Sequence, residues 1–261
     1  LGSGYGTPVV AGDRIYVLVN EGLDDEFVRA LEVKDGKQVW STRIGKVGSP
    51  DQRPSYPGSR STPTVDGNLL YVFGSDGDLA CLEVATGKTR WHLNVLDKFG
   101  GQPGRWGYSE SPLIDGDLLV CAPGGEEATL LALDKMSGDV VWKSSVSGGD
   151  QAAYASTIVA TAAGTKQYVQ FLGKGLVGGD AANGSVLWQY AKTAQGSPAN
   201  IPTPVAHDGY IYSASNRGGG SLIQIKGDRD SIQIKEMYYS PKLPRAIGGA
   251  LLVDGYLYGT T

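Results

Sequence analysis

Short apolar runs alternate with glycine-containing polar pairs along this chain, and this pattern predicts β-strands joined by tight turns. A clear example is the stretch 61–95, in which runs rich in Val, Leu, Phe and Tyr span residues 61–65, 68–74, 78–84 and 88–95. The joints between these runs are Asp66-Gly67, Asp76-Gly77 and Thr86-Gly87. Such pairs are strong hairpin signals, and the runs show no helical period. Four consecutive antiparallel strands are therefore expected here.

Both faces of the predicted strands are apolar. In the third run, Leu79 and Cys81 share one face, and Ala80 and Leu82 share the other. A sheet with one solvated face would instead alternate apolar and polar residues. Each sheet is therefore expected to pack between two neighbouring sheets.

An eleven-residue segment ending in tryptophan occurs four times, at residues 30–40, 81–91, 132–142 and 178–188. Each copy has a small residue at position one and an acid at position three, namely Glu32, Glu83, Asp134 and Asp180. Position seven is Gly36, Gly87, Gly138 and Gly184, and position eleven is Trp40, Trp91, Trp142 and Trp188. Fixed spacing at four places indicates a repeat architecture.

The residue types of this segment predict a structural role. The acid can accept hydrogen bonds from backbone N–H groups of the following turn, and the glycine can supply the positive φ that the turn needs. The indole is a large apolar plate, and the small first residue should leave room for a ring from the adjacent sheet. We interpret the four tryptophans as docking residues that hold successive sheets together.

A second repeated feature sets the length of the unit. Turn glycines recur at intervals of 45 to 55 residues, at Gly12, Gly67, Gly116, Gly164, Gly209 and Gly255. Units of this length with four strands each are typical of β-propeller blades. The chain is thus predicted to be all-β, with one propeller domain over residues 1–261 containing five units and part of a sixth. The fifth unit has no docking tryptophan, and only Gly227-Asp228 indicates a turn there.

The tryptophan segment, A-x-D-x-x-T-G-x-x-x-W, resembles the docking motif of the PQQ-like β-propellers. This family includes pyrroloquinoline-quinone dehydrogenases and BamB-type outer-membrane assembly lipoproteins, and LALDKMSGDVVW and CLEVATGKTRW match its motif closely. Family members close seven or eight blades, so the resemblance implies an incomplete segment of such a ring. It also implies export to the periplasm or cell surface, although no signal peptide is found. The motif is specific for the fold and far less specific for function.

Composition and charge argue against several classes of function, including nucleic-acid binding and membrane insertion. The chain is 41% hydrophobic and 19% charged, with a net charge of −4, so it shows no basic surface suited to nucleic acid or anionic membranes. No apolar stretch approaches the ~20 residues of a membrane span. The two cysteines, Cys81 and Cys121, lie in apolar runs and are expected to be buried free thiols. Two histidines, His92 and His207, argue against a multi-histidine metal site and are expected to be surface or turn residues without a special role.

Candidate binding residues concentrate in the segments that precede the first strand of each unit. In propellers these segments line the mouth of the central channel. Here they contain polar and aromatic residues suited to polar ligands, namely Arg60, Arg105, Trp106, Tyr108, Glu110, Asn200 and Arg245. Two of the segments belong to long loops rich in Pro and Gly, and loops of this length tend to be functional. We expect a contact rim centred on Arg60, Trp106 and Tyr108.

The sequence is compatible with two functions, a quinoprotein dehydrogenase and a non-catalytic scaffold. In quinoprotein dehydrogenases, arginines pair with the PQQ carboxylates, a tryptophan stacks on the cofactor, and a Glu/Asn/Asp set holds Ca²⁺. The resemblance implies that Glu110 and Asn200 could be the calcium ligands. However, no catalytic Asp base can be identified, and Cys81 and Cys121 are too far apart to form the vicinal pair of many such enzymes. We favour a non-catalytic scaffold that binds a protein partner or a small polar ligand at the mouth.

Overall fold

The computed structural model describes residues 2–48, 58–194, 199–242 and 248–259. Within these residues the chain forms five four-stranded sheets and one two-stranded sheet. In every sheet consecutive strands are antiparallel neighbours, so each sheet is a simple meander. This confirms the predicted all-β fold with four-stranded blades, and we number the blades 1 to 6 along the chain. The single-domain boundary at residues 1–261 stays a prediction.

The strands follow the chain in regular order. Blade 1 contains β1 Val9–Ala11, β2 Arg14–Glu21, β3 Asp25–Glu32 and β4 Gln38–Lys46. Blade 2 contains β5 Thr64–Asp66, β6 Leu69–Phe73, β7 Asp78–Glu83 and β8 Thr89–Asn94, and the helix α1 Val95–Phe99 follows it. Blade 3 contains β9 Leu113–Asp115, β10 Leu118–Cys121, β11 Leu130–Asp134 and β12 Val140–Ser144.

Blade 4 contains β13 Ile158–Ala162, β14 Thr165–Phe171, β15 Leu176–Asp180 and β16 Val186–Tyr190, and a short 3₁₀ helix, Lys192–Ala194, follows it. Blade 5 contains β17 Val205–His207, β18 Tyr210–Ser215, β19 Gly219–Lys226 and β20 Gln233–Ser240, with a second 3₁₀ helix, Arg229–Ser231, between its last two strands. Blade 6 contributes the hairpin β21 Leu251–Val253 and β22 Tyr256–Tyr258.

The core lies between the blades. All residues of β6 are buried, and so are all residues of β7 except its last. These strands therefore use both faces, as the apolar patterning predicted. Cys81 and Cys121 are buried free thiols in this core, as expected.

Hydrogen bonds between the starts of the first strands link five successive blades. The backbone N–H of Thr7 donates to the Thr62 hydroxyl at 3.0 Å, and that of Thr62 donates to the Ser111 hydroxyl at 3.0 Å. The series continues from Ser111 to Ser156 at 2.9 Å and from Ser156 to Thr203 at 3.1 Å. A hydroxyl residue at this position therefore satisfies a backbone donor of the preceding blade.

Three of the four docking tryptophans, Trp40, Trp91 and Trp142, lie over the position-seven glycine of the next blade. A Cβ atom on Gly87 would lie 2.5 Å from the Trp40 ring, and one on Gly138 would lie 2.9 Å from the Trp91 ring. Gly184 contacts Trp142 in the same way. The expectation that the small first residue accommodates the neighbour's ring was therefore wrong. The first residue pairs with the tryptophan of its own blade, and the turn glycine accommodates the neighbour's ring.

The acid at position three acts as predicted in two copies of the motif. A carboxylate oxygen of Asp134 accepts the backbone N–H groups of Met136 and Ser137 at 2.8 and 2.9 Å. In the next blade Asp180 accepts the N–H of Ala182 at 2.8 Å. These bonds stabilise the turn between the third and fourth strands.

The fifth blade keeps the docking position with a different side chain. Position one in β19 is Leu222, next to the same bulge as in other blades, and its partner across the sheet is Tyr238. The 3₁₀ helix Arg229–Ser231 lengthens the hairpin and displaces this residue from the eleven-residue spacing. The eleven-residue spacing is therefore absent from this blade, although a complete four-stranded sheet still forms.

Replacing a docking tryptophan by phenylalanine should cost more at Trp91 than at Trp142. The indole N–H of Trp91 donates to the Lys135 carbonyl at 2.9 Å, whereas that of Trp142 has no acceptor among the described residues. Trp91 is only partly buried and Trp142 is buried, but only Trp91→Phe leaves a carbonyl unpaired, and Trp142→Phe removes a buried donor that has no acceptor among the described residues. We expect Trp91→Phe to lower the free energy of unfolding by about 1 kcal/mol more than Trp142→Phe in urea titrations. Equal losses would contradict this assignment.

Candidate functional site

The predicted binding residues lie at one end of the propeller. In each meander, the turns between second and third strands and the segments leading into the first strand share one end, which we call the mouth. The turns between first and second strands and between third and fourth strands share the opposite end, which we call the turn end. This division follows from the antiparallel order of the strands.

Arg60 lies at the mouth, just before β5. Its guanidinium donates from Nη1 to the carbonyls of Gly58 and Trp106 at 3.2 and 3.4 Å. The same group lies 5.5 Å from the centre of the Tyr5 ring, a cation–π distance. Arg60 therefore connects the mouth segments of three successive blades.

Arg105 and Trp106 form the second part of the mouth surface. Arg105 is exposed, and its guanidinium lies 5.6 Å from the Trp106 ring centre. The half-buried Trp106 ring lies 5.8 Å from that of Tyr154, and its backbone N–H donates to the Tyr154 hydroxyl at 3.2 Å. Arg105 and Trp106, which are adjacent in the sequence, thus form a packed surface that is both cationic and aromatic.

Tyr108 does not belong to this exposed surface. Its ring is 1% exposed and stacks on Phe73 with 4.7 Å between ring centres. Its hydroxyl donates to the Pro123 carbonyl at 2.6 Å. The expected rim centred partly on Tyr108 therefore needs correction, because this side chain anchors the loop to the core.

Glu110 is wholly buried at the junction of blades 3 and 4. One carboxylate oxygen accepts the Ala122 N–H at 2.6 Å, and the other accepts the Gln170 amide at 3.2 Å. Burial raises the pKa of Glu110 to about 8, although both hydrogen bonds lower it. Both oxygens of this carboxyl group thus have protein partners.

Asn200 is also buried and anchors the neighbouring segment. Its side-chain amide donates to the Leu172 carbonyl at 2.7 Å, and its backbone carbonyl accepts the Tyr154 N–H at 3.0 Å. Its side-chain oxygen has no donor among the described residues. Arg245 lies outside the described residues, so its predicted role stays a prediction.

The two expected calcium ligands fit that ion poorly. Calcium takes six to eight oxygen ligands, usually including several carboxylates. Both oxygens of Glu110 are engaged in internal hydrogen bonds, and its raised pKa favours the neutral acid near neutral pH. No group of three or more His, Cys, Asp or Glu side chains in the described residues could hold a metal ion. The donor set here suits internal structure rather than Ca²⁺.

Sequence reasoning missed three residues of the mouth. Tyr5 and Tyr154 occupy the same kind of segment as Arg60, so the phase of the repeat could have identified them. Nothing in the sequence around Glu26 indicated that it lies at the mouth. Its carboxylate is fully buried between blades 1 and 2, where it accepts the Ser75 N–H at 2.7 Å. Burial raises the pKa of Glu26 to about 7.

His92 makes a contact that the sequence did not indicate. Its Nε2 lies 2.8 Å from a carboxylate oxygen of Asp78, on the neighbouring strand β7. The ring is partly exposed, consistent with its expected place on the surface. His207 is exposed, as expected.

No helix in the described ranges combines the length and the apolar character that crossing a bilayer requires. The longest helix there is α1, with five residues.

Comparisons with known proteins identify the family. A family model described as outer membrane protein assembly factor BamB matches residues 1–105 and 24–261 in two overlapping segments. The outer membrane protein assembly factor BamB of Moranella endobia is 24% identical over 228 residues, which cover 84% of this chain and 54% of that protein. This chain therefore spans about half the length of that relative.

Solved structures show the same fold in proteins of different function. BamB from Moraxella catarrhalis superposes with a TM-score of 0.67 at 17% identity, covering 98% of this chain and 69% of that one. A europium-containing methanol dehydrogenase gives a TM-score of 0.65 at 11% identity, covering 97% and 64%. At such identities the likeness shows the fold alone, and it does not separate scaffold from enzyme. Because the family model matches the length of the chain, this protein belongs to the BamB family of PQQ-like β-propellers.

Proposed function

We propose that this protein is a non-catalytic scaffold that binds a partner protein at the mouth of the propeller. The observation that carries the proposal is the internal use of Glu110 and Asn200, the residues that a quinoprotein would need for its cation. Glu110 accepts two protein hydrogen bonds, and the Asn200 amide ties its segment to Leu172. This arrangement supports a structural role for both residues.

The mouth surface has the chemistry of a protein-binding site. We define the mouth rim as Tyr5, Arg60, Arg105 and Trp106, which the buried Tyr154 supports from below. Tyr5 is 57% exposed, and Arg105 is exposed beside a half-buried tryptophan. Tyr, Trp and Arg are the residues most enriched at interface hot spots. The rim is also ordered by internal contacts, which lowers the entropy lost on binding.

The names of the relatives support a partner class. BamB proteins are named outer membrane protein assembly factors. By extension, we propose that this chain acts in the periplasm of a bacterium and that its partner takes part in assembling outer membrane proteins.

A charge reversal at the rim tests the proposal. We expect Arg105→Glu to weaken binding of the natural partner by about tenfold or more, because a hot-spot arginine would be replaced by a repelling charge. The matched control is Lys34→Glu, at an exposed lysine in the turn between β3 and β4, at the turn end. The partner would be identified by cross-linking the full-length protein in the cell envelope, and its affinity for both variants would then be measured.

Loss of binding in Arg105→Glu alone would support the mouth as the contact surface. Unchanged affinity in Arg105→Glu, or an equal loss in Lys34→Glu, would overturn that placement. Saturable binding of PQQ that depends on Ca²⁺, with oxidation of an alcohol, would overturn the non-catalytic assignment.

A further inference from the structure

The turn end of the propeller contains a cleft of about 500 Å³ where blades 3, 4 and 5 meet. Its lining includes Asp115, Leu118, Lys166, Tyr168, Ala181 and Arg229. This volume lies within the ~300–1,000 Å³ typical of small-ligand sites. The cleft is at the end opposite the mouth rim, so it is independent of the proposed function.

The cleft forms where blades 4 and 5 differ from the other repeat units. The strands β13 and β14 have five and seven residues, whereas β9 and β10 have three and four, so the blade 4 hairpin reaches farther. In blade 5 the inserted 3₁₀ helix supplies Arg229 as the facing wall. Motif position four is Val84 or Lys135 in the preceding blades but Ala181 here. The small side chain leaves the junction open.

Two ion pairs across blade junctions line the cleft, with their carboxylates inside and their cations outside. Lys166 contacts Asp115 at 2.6 Å, and the side chains are 50% and 18% exposed. Arg229 contacts Asp180 at 2.6 Å, and the side chains are 53% and 3% exposed. The charges that a ligand can reach are therefore the cations.

The hydrogen bonds of these groups also indicate that the cations, and not the carboxylates, are available to a ligand. One oxygen of Asp180 accepts the Ala182 N–H, and the other accepts Arg229. The oxygens of Asp115 accept Lys166 and the Tyr168 hydroxyl. These carboxylates are thus occupied, whereas an ammonium has three N–H donors and a guanidinium has five. Lys166 and Arg229 therefore retain donors beyond those bound to Asp115 and Asp180.

A buried donor adjoins the same space. The indole N–H of Trp142 has no acceptor among the described residues, and Trp142 is 8% exposed. In blades 1 and 2, the equivalent N–H donates to the carbonyl at position four of the next blade. Position four is here Ala181, which lines the cleft, and the Trp142 ring lies 6.0 Å from that of Tyr168. The indole N–H is thus a buried donor without an acceptor among the described residues, packed behind the part of the cleft wall that Tyr168 and Ala181 form.

We propose that this cleft binds a carboxylate carried on a small apolar body. The donors left over on the exposed Lys166 and Arg229 side chains favour a ligand that accepts hydrogen bonds and carries negative charge. Leu118, Tyr168 and Ala181 supply apolar walls for the rest of the ligand. A free carboxylic acid and the C-terminal residue of a peptide both have this chemistry.

The test uses N-acetyl-L-leucine and its neutral amide as matched probes at pH 7. In ¹H–¹⁵N spectra of the labelled protein, we expect the acid to shift the Trp142 indole signal saturably, with an affinity about tenfold or more above that of the amide. Trp142→Phe identifies that signal. A short peptide ending in leucine, compared with its C-terminal amide, separates the chain-end source from the free acid.

Substitutions locate the site. Lys166→Gln and Arg229→Gln should each weaken binding of the acid by about tenfold, since each removes a charge-assisted donor. Lys135→Gln is the matched control, because Lys135 makes a similar ion pair with Asp66 at 2.6 Å at the junction of blades 2 and 3, outside the cleft. Thermal melting of each variant would show that it is folded. Equal shifts from acid and amide, or an equal loss in Lys135→Gln, would overturn the proposal.

Discussion

Replacing Gly87 by alanine is expected to lower the free energy of unfolding by about 2–5 kcal/mol. The backbone φ of Gly87 is +71°, a conformation that costs a residue with a Cβ atom about 1–2 kcal/mol. In addition, the new Cβ would lie 2.5 Å from the Trp40 ring and 2.7 Å from the Thr42 hydroxyl oxygen. Relieving this overlap must move the docked tryptophan, and overpacking of this kind costs about 1–3 kcal/mol.

The chain offers a closely matched control at the same motif position. Gly36 has a φ of +70°, but a Cβ atom there would have no neighbour within 4 Å. Gly36→Ala should therefore show only the backbone part of the cost, about 1–2 kcal/mol. Urea titration followed by tryptophan fluorescence measures both variants. If the two substitutions cost the same, the glycine is required for its turn alone and not for docking.

Stability is expected to fall as the pH rises from about 5 to 8.5. Burial raises the pKa of Glu110 to about 8 and that of Glu26 to about 7, whereas a glutamate in the unfolded chain has a pKa near 4.3. Between these values the folded protein binds protons that the unfolded chain has released. The free energy of unfolding therefore decreases with pH, by about 1.4 kcal/mol per pH unit for each fully titrating group. This contribution is complete at low pH and lost above the folded pKa.

Glu110→Gln should flatten this profile between pH 7 and 8, where Glu110 is the later of the two groups to ionise. The variant should also lose about 1 kcal/mol at pH 5, because an amide cannot accept both the Ala122 and the Gln170 hydrogen bonds. Glu127→Gln, at an exposed glutamate in the same blade, controls for the loss of one negative charge. Urea midpoints measured at half-unit pH steps check the prediction. An unchanged slope in Glu110→Gln would contradict it.

The candidate site was only partly predictable from the sequence. Repeat phase placed Arg60, Arg105 and Trp106 at the mouth, because position within a blade determines which end of the sheet a residue occupies. The position within the repeat does not determine which of these side chains are buried in the core. Tyr108 lies two residues after Trp106, yet its ring packs in the core on Phe73. That difference depends on contacts with another strand, which local spacing does not contain.

The buried carboxylates show the same limit. Glu110 lies beside Ser111 in a polar segment, so the sequence suggested an accessible ligand. Its burial results from the approach of Gln170, sixty residues later on β14. Glu26 is aligned across the sheet with Asn20 and contacts Ser75 of the next blade. Gln170 and Ser75 are far from these glutamates in the chain, and they become their neighbours only when two blades pack together.

The sequence by itself determined the architecture of this protein. Apolar runs separated by glycine turns specify antiparallel meanders, and the recurrence of Gly and Trp at fixed spacing specifies a repeated blade, since both are local patterns of fixed length. Only the tertiary structure decided which polar groups are accessible. Packing of blade against blade buries Glu26, Glu110 and Tyr108, and it leaves a cleft at the junction where Ala181 replaces a larger side chain. Accessibility is a property of contacts between blades, and those contacts join residues that are far apart in the chain.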